Sequence, residues 1–197
     1  MESGHLAERC ALFMIIVLGE VILMMGVTYA DHPQATAAML ALGIAFVATL
    51  ALWWLYFAAA ADRAGARFAQ ATDVGAVARS AYTYLHVPIV AGVIAFAAGM
   101  ERLIVHPEGH LDLATAALVA GGPLLYLAGL AGFRFATGIG VASIHWAALL
   151  GLAAVVAFAD ILSPIAAAIL TAVVLIVLAV LESRADQHQQ GAAHAAR

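Results

Sequence analysis

The sequence predicts an all-α fold, a polytopic membrane bundle of about six transmembrane helices, and three observations carry that reading. Hydrophobic residues make up 65% of the 197 and charged residues 10%, where soluble domains run near half apolar and about a quarter charged. The mean hydropathy is +1.03. Apolar runs of the length a bilayer demands, about 20 residues at about 1.5 Å rise each, alternate with short breaks where Asp, Pro, Arg and Gly collect. The membrane domain is expected over 1–183, followed by a disordered cytoplasmic tail over 184–197.

The first span, 8–28, opens with Glu8 and Arg9 and carries Glu20 within it, with no small-residue cleavage site, so it is expected to stay in the mature chain. The second, 36–61, ends in LWWLYF, where Trp53, Trp54 and Tyr56 read as an aromatic belt. Residues 62–79 are expected to form an interfacial helical turn. The third span, 80–104, contains Pro88, which leaves the Tyr84 carbonyl without its helical donor and predicts a local kink. The fourth, fifth and sixth spans are expected over 113–133, 139–159 and 163–182. Gly92 and Gly99 in the third, with Gly121, Gly122, Gly129 and Gly132 in the fourth, predict close approach of helix backbones. Beyond Glu182 the apolar face is lost, and the chain is expected to fray.

The basic residues are Arg alone, and all but Arg102 fall at the termini or in the second and fourth loops. With six spans these lie on one side, and the positive-inside rule makes both termini cytoplasmic. The net charge of −4 is spread along the chain with no basic stripe, which argues against nucleic-acid binding. The single Cys10 rules out an intramolecular disulfide. The sequence holds no phosphate-binding loop, dinucleotide fingerprint, HExxH or nucleophile elbow, so neither a cofactor nor an enzymatic activity is expected.

Arg9, Phe13, Ile16 and Glu20 share one helical stripe. Glu20 lies too deep to reach the interface, so it is expected to face protein or water. There it either exchanges a proton or, protonated, pins a neighbouring helix. Tyr82 and His86 stand one turn apart on one face; His86 could pair with Glu20 as a relay or act as a neutral packing group. His145 lies inside the fifth span and reads first as a packed histidine that could join the same cavity. His5 and Glu8 form an interfacial ionic cluster or a plain anchor. On the opposite side His106 and His110, with Glu108 and Asp112, are weak metal candidates, because their spacing matches no closed zinc pattern.

Three stretches, HLAERCALFMIIVLGE (5–20), LWWLYF (52–57) and YTYLHVPIVAGVIAFAAGMERLIVHP (82–107), make the chain resemble the bacterial low temperature requirement protein A (LtrA) family. The resemblance covers about half the spans in a consistent order. Cys10 departs from it, standing where the family commonly has Phe. It implies a multi-pass protein of the bacterial inner (plasma) membrane linked to growth at low temperature, with no catalytic residues to carry over. It also implies that this chain matches the C-terminal half of a protein about twice as long. The partner is then the lipid bilayer, and a parallel homodimer could supply the other half. Two functions follow from these readings: transport of a proton, ion or small solute through a Glu20, His86 and Arg9 site, or a non-transporting component whose polar groups pin helices together. A membrane enzyme comes third.

Overall fold

The computed structural model describes residues 3–31, 36–57 and 78–195. Helix α1 runs Ser3–Asp31 and α2 runs Thr36–Tyr56. A π-helical segment, Ala78–Tyr84, leads into α3, His86–Val105. Helices α4, Leu113–Val119, and α5, Gly121–Ala136, form one interrupted span. Helix α6 covers Ser143–Ala157, a 3-10 turn follows over Ala159–Ile161, and α7 runs Pro164–Ala195. Five of the resulting segments are long and apolar enough to cross a membrane, and Ser143–Ala157 is a shorter apolar helix. This is the all-α bundle of a multi-pass membrane protein.

Prolines set the two irregularities. Pro88 has no N–H for the Tyr84 carbonyl, and the chain is π-helical up to Tyr84 and turns at Leu85 before α3 starts. Pro123 likewise cannot donate to Val119, and the fourth span breaks at Ala120, whose own N–H still reaches the Ala116 carbonyl.

Helix α3 is the hub, touching α1, α2, α4 and α5, and its most extensive packing is on α5. The reason is glycine. A Cβ built on Gly92 would lie 2.5 Å from the Tyr126 amide nitrogen and 2.6 Å from the Gly122 carbonyl oxygen; one on Gly122 would lie 2.6 Å from the Phe96 nitrogen. Gly99 and Gly129 repeat the arrangement one heptad on, against Val119 and Ile89. Backbone meets backbone along this seam, which in lipid is where dispersion contacts accumulate. Around it Ile89, Val93, Phe96, Met100, Tyr126 and Leu130 are fully buried. A second, small cluster of Leu111, Ala116, Val155 and Ala167 closes the end where α3 finishes and α4 begins.

One expectation changes. The segment beyond Glu182 continues α7 to Ala195 instead of forming a disordered tail. Its Ala, Gln and Arg residues are good helix formers, and the apolar turns before them have already met the cost of nucleation. The interfacial turn over 62–79 falls almost wholly outside the described residues.

Candidate functional site

The buried histidine, arginine and glutamate side chains, His86, Arg134, His145 and Glu182, collect at one end, where α2 and α5 finish and α3 and α6 begin. Arg134, near the C-terminus of α5, and Glu182, on α7, are 5% and 6% exposed and form an ion pair through Nη1 and Oε1. His145, in the first turn of α6 and 1% exposed, brings Nε2 within 2.7 Å of the same Oε1. The ring N–H points off the line to the oxygen, so the contact is electrostatic more than a directed hydrogen bond. Glu182 Oε2 has no partner among the described residues. Both partners also hold the turn between α5 and α6: Arg134 Nε donates to the Gly140 carbonyl at 3.1 Å, and His145 Nδ1 lies 3.3 Å from the Ala142 carbonyl.

The His145 geometry constrains its protons. A carbonyl can only accept, so Nδ1 carries hydrogen toward Ala142. Nε2 lies 2.7 Å from the Glu182 carboxylate oxygen, off the direction of a hydrogen bond, so imidazole and carboxylate meet as a buried pair beside the Arg134 guanidinium.

A second group lies beside it. His86 Nδ1 donates to the Ala81 carbonyl at 3.0 Å, which leaves Nε2 to accept from the Tyr56 hydroxyl at 2.8 Å. The ring is stacked on Tyr82, with centroids 5.8 Å apart and planes at 15°, and meets Phe133 edge-on. A neutral imidazole with both nitrogens satisfied fits this aromatic box. Cys10 Sγ approaches the Tyr82 carbonyl at 3.5 Å. Tyr126, fully buried, donates to the Leu52 carbonyl at 2.7 Å and stands within electrostatic reach of both Tyr56 and Glu182, between the two groups.

The residues singled out in the sequence divide accordingly. Tyr82 and His86 do share a face. Glu20 does not join them: it is exposed on the outer side of α1 and lines, with Glu101, a groove of roughly 520 Å³ between α1 and α3. Arg9 is exposed as well. The buried stripe of α1 is Met14, Leu18, Val21, Met25 and Thr28, and Glu20 lies about 120° round the helix from it at 100° per residue. Trp53 and Trp54 are part-exposed, as an aromatic belt requires, but Tyr56 turns inward onto His86. His5 and Glu8 approach to 3.7 Å on the surface.

His106 and His110 are exposed, and among the described residues no three His, Cys, Asp or Glu side chains gather as a metal group would. Asp112 is spoken for: its carboxylate caps α4, accepting from the Thr115 amide at 2.9 Å and the Thr115 hydroxyl at 2.7 Å. Those bonds, the hydroxyl first, hold its carboxyl below the usual carboxylate range. Arg134 and Glu182 escaped the sequence reading because both marked loop edges there. The available signal was two opposite charges at the same end of two apolar spans.

The family model of bacterial low temperature requirement A protein (LtrA) matches residues 1–180. Among curated proteins, an uncharacterized protein of Rhizobium meliloti is 33% identical over 190 residues, which cover 95% of this chain. The chain spans 46% of that relative's length. No solved structure matches.

Proposed function

The chain belongs to the bacterial low temperature requirement A (LtrA) family, and we propose that it is a proton-exchanging transporter of an ion or small solute, with the His145–Glu182 contact as its proton site. The carrying observation is an imidazole and a carboxylate 2.7 Å apart, both buried, the imidazole being the side chain best suited to proton exchange near neutral pH. Arg134 supplies a fixed positive charge, so the site changes its net charge when the proton leaves, and a buried site that changes charge favours a different packing of its helices. Glu20, exposed on α1, has no part in this site.

Purified protein in liposomes holding a pH-sensitive dye tests this directly. The wild-type chain should carry protons with a candidate solute or cation. Glu182→Gln, which keeps the shape and cannot ionise, should abolish the flux while the protein still melts cooperatively. His145→Gln is the second variant if the first fails to fold. Unchanged flux in both would overturn the assignment. The rival reading, a non-transporting component, is favoured by the fully satisfied His86 box. It predicts no flux from the wild type and a lowered melting temperature in the variants.

Arg9 and Arg184 sit at the same end as the polar cluster. By the positive-inside rule that end, with both termini, faces the cytoplasm of the plasma membrane. The outer face of α1 is the place for a second body. Only 22% of its most apolar window is buried, against 44–50% in the other long spans, and Glu20 stands on it. We assign it to a parallel second copy, in which the Glu20 side chains of the two copies meet across the interface. Cross-linking of Leu23→Cys in membranes should trap a dimer, and a monomer under all oxidising conditions would remove the assignment.

A further inference from the structure

Helices α2 and α7 pack along their length but leave a trough on the outside of the bundle. One part, roughly 630 Å³, runs past Met39 and Gly43 on α2 and Ile169 and Val173 on α7. Another, roughly 540 Å³, runs past Leu50 and Trp54 on α2 and Val180 and Arg184 on α7. Val47 and Ile176 line both, so the two grooves adjoin end to end along the α2–α7 seam. From Thr36 to Trp54 it is about 27 Å long at 1.5 Å per residue, close to the roughly 30 Å hydrocarbon thickness of a bilayer.

The walls change character at one end only. They are apolar until the last turns, where Trp54 Nε1 donates to Ser183 Oγ at 2.7 Å and Arg184 and Gln187 close the groove. Arg184 is exposed and has no ion pair among the described residues, unlike Arg134, which is sealed against Glu182. An exposed guanidinium at the edge of an apolar slot and beside an interfacial Trp is what a lipid phosphate meets at the headgroup level.

We propose that the half of this trough nearest Arg184 is a binding site for one anionic phospholipid of that leaflet, with its acyl chains laid between α2 and α7 toward Gly43 and its phosphate on Arg184. A peptide strand is a poor occupant, because the apolar walls offer its backbone no hydrogen-bond partners at membrane depth. The assignment does not depend on the proton site, since the contacts shown for the Glu182 carboxylate are to Arg134 and His145 and none of the trough side chains named is among them.

Bromolipid quenching tests it. The full-length protein with Trp53 and Trp146 changed to Phe keeps Trp54 as the sole fluorophore. In phosphatidylcholine vesicles, brominated phosphatidylglycerol added as a minor component should quench Trp54 about fivefold more effectively than brominated phosphatidylcholine, the factor expected for one near-surface Arg. Arg184→Gln should erase that preference without moving the melting temperature. Gly43→Phe should lower quenching by both lipids, because a Cβ at Gly43 meets open space and the ring would fill the trough. Equal quenching by the two lipids in the parent, or a preference that survives Arg184→Gln, overturns the proposal. Insensitivity to either lipid also overturns it, in favour of a protein covering the trough.

Discussion

Glu182 and Glu20 are both carboxylates on apolar helices, and they meet opposite fates. Glu182 lies near the end of its span yet is enclosed by Arg134 and His145; Glu20 lies in the middle of its span and faces outward. Depth along a helix therefore says little about solvation, whereas the angle around the helix says nearly everything. Glu182 shares α7's inward stripe with Leu175, Leu178 and Ala179, while Glu20 points away from α1's stripe through Leu18 and Val21.

The largest expected effect separates these two acids. Glu182→Leu strands the Arg134 charge in the bundle and should cost about 3–5 kcal/mol, with most of the loss recovered in the Arg134→Met, Glu182→Leu pair. Glu20→Leu should leave the melting curve of the detergent-solubilised monomer unchanged. Equal losses from the two single changes would erase the distinction.

Next come the glycines, which repeat the same contrast. Gly92→Ala drives a methyl into the α5 backbone and should cost about 1–3 kcal/mol. Gly19→Ala, on the open face of α1, should be neutral or slightly stabilising through helix propensity. Thermal unfolding of both in one detergent decides it. Tyr56→Phe should follow at about 1 kcal/mol, since it removes the donor to a buried imidazole nitrogen.

Smallest is Asp112→Asn, at the rim far from either acid. Its carboxyl titrates below its unfolded value, so its contribution is present above the unfolded pKa and fades as the pH falls through the folded one. The wild-type protein should therefore outlast the variant near neutrality and match it in strong acid. A difference that persists in acid would assign the effect to packing instead.

Much of the fold was legible in the sequence. Composition and the length of the apolar runs specify helices and a bilayer, Pro88 marks the π-helical entry to α3, and the paired glycines mark the tightest seam. The site was not legible in the same way. In a soluble helix polarity shows which face is inward, but α1 is apolar all round, so nothing in its pattern distinguishes the face bearing Glu20 from the face bearing Leu18. Arg134 and Glu182 were hidden by the opposite problem. They sit where apolar runs end, and charges there read as anchors until three helix ends are seen to converge.

The turn from Thr137 to Ala142 gains a role from what holds it. Gly138 and Gly140 adopt φ of 72° and 82°, which other residues rarely take, and the side chains that grip its carbonyls are the two that share the buried carboxylate. A change at the Glu182 carboxylate reaches the turn through Arg134 and His145, which contact both. The hydrogen-exchange rate of this surface turn is thus an outward gauge of the contacts sealed inside the bundle.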